Sequence, residues 1–192
     1  MDMKTTRVYT MTARAAAAED TRRRIAEAAI ALAGERPFVD ITLDAVAERA
    51  EVSVKTVLRQ FGSRDALLSA SMEVAMADTE DERRAPSGDP ETAVRIVIDH
   101  YEHRGRTALL MLAQEDHDPV ARAVTDRGKS MHRAWVRDAF APATEDDAVL
   151  DLLVVATDVY TWKLLRLDRG HSRAVTEQRM HGLVQALLSK EH

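Results

Sequence analysis

Lys55, Arg59 and Arg64 fall in a stretch, Ser53 to Arg64, that contains no acid, with Ser53, Thr56 and Gln60 standing among them. Ammonium and guanidinium groups neutralise phosphates, while hydroxyls and a side-chain amide hydrogen-bond to phosphate oxygens or base edges. Leu58, in the same stretch, has the apolar character that fits a thymine methyl. In a chain of 192 residues with formal net charge −5, such a segment is a local exception. The chemistry it suits is nucleic-acid binding rather than bond making. Signals for catalysis are missing: there is no glycine-rich phosphate loop, no GxSxG, no HExxH and no cysteine. His100 and His103 have a helical zinc spacing, but nothing fixes a third ligand, so they read as polar residues near helix ends and no metal or cofactor is expected.

Two short helices can position these side chains. Thr42 is an N-cap for a helix over Leu43 to Ala50, Glu51 and Val52 make a turn, and Ser53 caps a second helix from Val54 to Phe61. Gly62 ends the second helix and Ser63 caps a third. Val46, Ala50, Val52, Val57 and Phe61 can meet inside the angle between the two, where Ala47 is small enough for a close crossing. That is a helix-turn-helix, whose second helix can lie in the DNA major groove.

The same stretch resembles the N-terminal domain of TetR-family transcriptional regulators. The resemblance rests on Thr21-Arg-Arg-Arg-Ile-Ala-Glu-Ala-Ala through Gly34, Ile41-Thr-Leu-Asp-Ala-Val-Ala, Val52-Ser53, Thr56, Phe61, Arg64-Asp65 and Leu67-Leu68. Beyond residue 68 only the layout is similar: an all-helical core carrying TDVYTWKLLRLDRG and a final amphipathic helix. The resemblance implies a dimeric, ligand-responsive regulator, usually a repressor, bound to a palindromic operator. It implies that Thr42 and Arg64 hold phosphates, that Lys55, Thr56, Arg59 and Gln60 reach base edges or flanking phosphates, and that Ser53 lies near the backbone. The chain departs from the family where a turn Gly is replaced by Glu51, a recognition-helix Tyr by Leu58, and the following His or Tyr by Gln60. At Glu51 a left-handed backbone would cost on the order of 1 kcal/mol.

Composition agrees with an all-α fold. Hydrophobic residues make up 45% and charged residues 31%, and Gly and Pro are few, so helices are favoured and no window alternates like a strand. No apolar run approaches the roughly 18 residues needed to cross a membrane. The absence of cysteine and of a signal-peptide pattern makes the cytoplasm the expected location. Residues 1–68 hold eleven Lys/Arg and ten Asp/Glu, a balance of +1, which leaves −6 for the remainder. An acidic body with cations gathered at one end would orient the protein on a duplex.

About nine helices are expected in three regions: a flexible N-terminal arm (1–18) carrying Lys4, Arg7 and Arg14, the helix-turn-helix domain (19–66), and a helical ligand-binding and dimerisation domain (67–192). Helix one should run from Thr21 to Ala33 and helix four from Arg64 towards Ala77, with residues 78–90 as the main loop. Asp89-Pro90 opens a helix to His103 with Val94, Val97, Ile98 and Tyr101 inward. Ala108 to Ala113 reads as a central helix covered on all sides. Asp118-Pro119 opens a long helix to Phe140 with Val120, Val124, Met131 and Trp135 along one face. Thr144 and Asp147 resemble a capping box for a helix to Leu167, and the last helix runs from Ser172 to Lys190.

Tyr101, Met111, Met131, Trp135 and Tyr160 are the candidates to line a pocket for a small-molecule effector. Leu153, Trp162, Leu183 and Leu187 are the candidates for a homodimer interface. Two readings of function stand. One is a DNA-binding regulator, a repressor released from its operator by an effector that shifts helix four. The other is an all-helical small-molecule-binding protein or enzyme with an architectural helix-turn-helix.

Overall fold

The computed structural model describes the backbone of residues 3–189 and the side chains of residues 15–189. Among these the structure is helical, with no strand. It divides into two compact units, Met1–Ala75 and Met76–His192. The division falls inside a helix, beyond the boundary expected at residue 66, because that helix runs unbroken from Arg64 to Glu82.

The first unit comprises α1 (Met3–Glu35), a 3-10 turn (Phe38–Asp40), α2 (Leu43–Arg49), α3 (Val54–Phe61) and the start of α4 (Arg64–Glu82). The expected inner stripe of α1, Ile25, Ala28, Ala29, Leu32 and Ala33, is buried. The helix begins at Met3, however, and not at Thr21, so residues 3–20 continue it; the side chains of Lys4, Arg7 and Arg14 lie outside the described residues. Arg22, Arg23 and Arg24 therefore stand in mid-helix, not in a first turn whose dipole would oppose them. Arg23 pairs with Asp20 at 2.8 Å and Glu27 at 2.9 Å instead. Helix α1 packs on α2 and α3, and Arg49 donates two hydrogen bonds of 2.9 Å to the Glu35 carboxylate, fastening α2 to α1.

The second unit holds the end of α4, then α5 (Pro90–Leu112), α6 (Pro119–Phe140), α7 (Asp147–Ala156), α8 (Val159–Lys163), a π-helical turn (Leu164–Asp168) and α9 (Arg173–Leu188). Asp89 and Asp118 cap α5 and α6 as expected, each with proline following in the first turn. Helix α5 lies against α6, α8 and α9, and Val94, Val97, Ile98 and Tyr101 are buried along it.

The helices are divided differently from the expected nine. Helix α4 runs on to Glu82, since the acids of Asp78 to Glu82 are tolerable in a helix and nothing breaks it before Pro86. The segments expected as two helices are one, α5, in which Gly105 allows close approach: a Cβ there would lie 2.6 Å from Trp162 Cζ3. Ala108 to Leu112 are only half-buried and Ala113 is exposed, so this stretch is not covered on all sides. On α6 the buried face is Ala121, Thr125, His132, Val136, Ala139 and Phe140, while Val120, Val124, Met131 and Trp135 are half-buried beside it. The cap of α7 is Asp146, which accepts from Ala148 N at 2.8 Å; Thr144 accepts instead from Asp146 N at 3.2 Å. The long penultimate helix breaks after Ala156. Thr157 turns its hydroxyl back to Leu153 O at 2.7 Å, and Asp158 caps a new start by accepting from Tyr160 N at 2.8 Å. The expected helix end at Lys190 lies outside the described residues.

Candidate nucleic-acid interface

Two side-chain caps and one strained residue set the angle between α2 and α3. Thr42 Oγ1 accepts from Ala45 N at 3.1 Å and Ser53 Oγ from Thr56 N at 3.2 Å; each such cap contributes about 1 kcal/mol. Between them Val52 N donates to Ala47 O at 2.9 Å and Glu51 N to Glu48 O at 3.1 Å, the paired bonds of a Schellman motif. That motif needs a left-handed residue, and Glu51 supplies it at φ 54°. The strain expected at this departure from the family's Gly is present, and it is the cost of the turn. Gly62, at φ 82°, ends α3.

The turn leaves one face of α3 open. Val57 is buried beneath it, while Ser53, Lys55, Leu58 and Arg59 are exposed, Leu58 by 40%. Neither Lys55 nor Arg59 makes an ion pair among the described residues, so both cations are free for an external anion. Thr56 is half-buried, and its hydroxyl lies 3.0 Å from Ser53 Oγ.

Two of the expected contact residues are held inside the unit. Arg64 donates through Nε to Ile41 O at 2.7 Å and through Nη2 to Phe38 O, and pairs with Asp65 at 3.0 Å. Its guanidinium thus closes the carbonyls that end the 3-10 turn, where the resemblance implied a phosphate contact. Gln60 Nε2 donates to Ala18 O at 3.4 Å, so the amide leans towards α1 and not out along the open face. Sequence reasoning passed over Arg22, whose Nη1 donates to Gln60 O at 2.5 Å with the guanidinium 4.1 Å above the Phe61 ring. It fixes the end of the recognition helix; the available signal was its helical spacing from the buried Ile25 and Ala29.

Residues 25–71 match the model of the bacterial regulatory proteins of the tetR family. The chain carries the DNA-binding domain of the TetR family. It is accordingly a DNA-binding transcriptional regulator. Over 183 residues it is 28% identical to the HTH-type transcriptional repressor KstR of Rhodococcus jostii (strain RHA1), covering 90% of this chain and 84% of that protein. A tetR-family transcriptional regulator from Streptomyces coelicolor shares the fold with a TM-score of 0.70 at 21% identity, over 91% of this chain and 84% of that one. A transcriptional regulator from Rhodococcus sp. Rha1 does so with a TM-score of 0.67 at 17% identity, over 88% and 96%.

The second unit sorts the remaining candidates. Tyr101 is core, its hydroxyl donating to Thr157 O at 3.0 Å. Tyr160 is 55% exposed and Met111 is half-buried. Met131 and Trp135 do line one space, an open cleft of about 470 Å³. Of the five residues expected to line a pocket these two border that cleft, on the half-buried face of α6. Leu153 and Trp162 belong to the buried core of the unit and cannot meet a partner. The exposed apolar residues are Leu152, Val155, Tyr160 and Leu164 on α7 to the π-turn and Leu183 on α9, with Leu187 half-buried. Among the described residues no cluster suits a metal: His100 is buried against Glu82 at 3.3 Å, and His103 Nδ1 lies 2.7 Å from Asp99 O. No described helix is long and apolar enough to cross a membrane.

Sequence reasoning also missed Arg83. It lies in a run of charges yet is buried, one of a line on α4 and its extension that includes Leu68, Met72, Met76 and Thr79. That helical spacing was the available signal.

Proposed function

We propose that the protein is a cytoplasmic, homodimeric repressor, without catalytic activity, that reads a palindromic operator through α3 and leaves it when a small-molecule effector occupies the second unit. The observation that carries the reading is the open face of α3, where Lys55 and Arg59 stand exposed and unpaired on a helix held by caps at a fixed angle to α2. Ser53, Thr56 and Leu58 complete the contact surface, Thr42 offers a hydroxyl to the backbone, and Gln60 contributes only where its bond to Ala18 O gives way. A two-fold operator calls for a two-fold protein. The exposed Leu152, Val155, Leu164 and Leu183 supply the apolar surface for such a pairing, with Leu187 at its border. Effector binding would bias α4, the helix that runs through both units, and so change the spacing of the two reading heads by population shift.

Selection of bound duplexes from a random DNA library tests this. The expected result is an enriched palindrome bound by a dimer, with binding that weakens steeply as salt rises. Folded protein that enriches no sequence would leave the all-helical small-molecule-binding reading in its place.

A further inference from the structure

Arg83 is a buried cation with no carboxylate in ion-pair contact among the described residues; the half-buried Asp158 acts on it only at a distance. It is 5% exposed, and its guanidinium lies 4.6 Å above the Trp135 ring. The Trp135 indole donates to Arg83 O at 2.7 Å, which locks the two together. One Nη2 hydrogen goes to His132 Nδ1 at 2.6 Å. No carboxylate pairs with it among the described residues, and its Nε–H is buried with no acceptor at all. Structures seldom leave a buried cationic donor unanswered, and a group of this kind calls for an anion.

The surroundings say what kind of anion. His132 cannot supply it: burial and the neighbouring Arg83 charge press its pKa down to about 3, so the ring is neutral and its Nδ1 lone pair faces Arg83. Arg83 lines the open cleft of about 470 Å³ together with Met131, Ala134, Trp135 and Ala139. Most of the surface facing this space is apolar, so the occupant has an apolar body. The other arginines there already have acids, Arg84 with Asp81 at 2.7 Å and Arg127 with Glu80 at 3.6 Å. Glu80 and Asp138 also border the cleft and would repel a dianion, which favours a single negative charge over a phosphate. A planar carboxylate matches the guanidinium fork.

We propose that this cleft binds an apolar monocarboxylate, its carboxylate held by Arg83 and its body lying against Met131, Ala134 and the edge of Trp135. As the effector site of the repressor it rests on the function proposed above; as a binding site it does not. The test is calorimetry on the free protein with benzoate, 2-naphthoate and decanoate, each beside its uncharged amide. At least one carboxylate should bind ten times or more tighter than its amide, and Arg83→Met should bring the two within about twofold. Ala134→Trp, at an exposed position lining the cleft, should block binding while leaving the melting temperature in place, and decides the matter should Arg83→Met fail to fold. The proposal is overturned when no carboxylate binds, when acid and amide bind alike, or when the preference survives either substitution. Carboxylate binding without any change in operator affinity supports the site and removes its role as effector site. Loss of all sequence-specific DNA binding would instead strike the regulator reading and leave the cleft untouched.

Discussion

Replacing both Lys55 and Arg59 by alanine should flatten the salt dependence of operator binding while leaving the fold alone. Each protomer loses two exposed cations that make no ion pair among the described residues, so the proposed dimer loses four. Each phosphate neutralised contributes about 0.9 to the slope of log K against log salt. If all four cations meet phosphates the slope falls by about 3.6; if Arg59 reads a base edge in each half-site it falls by about 1.8. Over a fourfold rise in salt these changes correspond to roughly 150-fold and roughly 12-fold less attenuation of binding. Exposed positions of this kind shift stability by about 0.5 kcal/mol or less, so melting should barely move. The assay is fluorescence anisotropy of a labelled operator across a salt series, with thermal melting of the same preparations. An unchanged slope in the double variant would refute the assignment of α3 as the reading helix. A collapse in melting temperature would refute the claim that these two side chains are free of structural duty.

Other outcomes follow from particular contacts. Arg64→Ala strips donors from Ile41 O and Phe38 O, and should lower stability by about 2–4 kcal/mol, read by urea unfolding, with DNA affinity falling only as the folded fraction falls. Arg64→Ala protein that stays fully stable yet loses DNA binding would return Arg64 to the phosphates. Gly105→Ala gains about 1 kcal/mol of helix propensity but forces Trp162 to move from a 2.6 Å approach, so a net loss of roughly 1–2 kcal/mol is expected; higher stability would show that the indole yields freely. Burial holds His132 near pKa 3 and His100 near 4, below the unfolded value of about 6.5. Between those limits the unfolded chain binds the extra protons, so stability is complete above about pH 6.5 and falls as pH drops, by about 1.4 kcal/mol per pH unit for each histidine. His132→Gln should remove about half of that slope, and urea midpoints at pH 7.5 and 5.5 that shift equally in both proteins would contradict it.

Much of the reading head was legible because its determinants are local. Thr42, Ser53, Asp89 and Asp118 cap the helices assigned to them, since a cap is decided within three residues of chain. The positive φ of Glu51 was signalled by the glycine that the resembled family carries at that place in the turn. What stayed hidden depends on distant chain. The acceptors of Arg64 are the carbonyls of Ile41 and Phe38, and only the folded unit brings them to the guanidinium. The break at Thr157 carries no glycine or proline; it arises because a threonine hydroxyl and an aspartate cap act back to back. On α6 two apolar stripes lie side by side, and periodicity alone does not say which one the core takes. Arg83 was concealed by its company, since a cation beside Glu80, Asp81, Glu82 and Arg84 looks like solvated charge until the face it occupies is known.

The cations of the first unit divide into those that build and those left over. Arg22 and Arg64 are each spent on backbone carbonyls that close the ends of α3 and of the 3-10 turn, and Arg49 is spent on Glu35. A guanidinium is suited to this, because several donors can be satisfied in one plane while the charge stays partly hydrated. Lys55 and Arg59 receive nothing from the protein in return for their exposure, although acids such as Glu48 and Glu51 occur nearby in the sequence. Had the fold alone set this pattern, an acid on α3 at helical spacing would be worth a few tenths of a kcal/mol in ion pairing. Instead the whole helix is free of acid, which forgoes that gain and keeps the outward potential positive. A surface that declines intramolecular pairing on a rigidly capped helix is arranged for an anion from outside, and the regular one available to a helix of this length is the DNA backbone flanking the major groove.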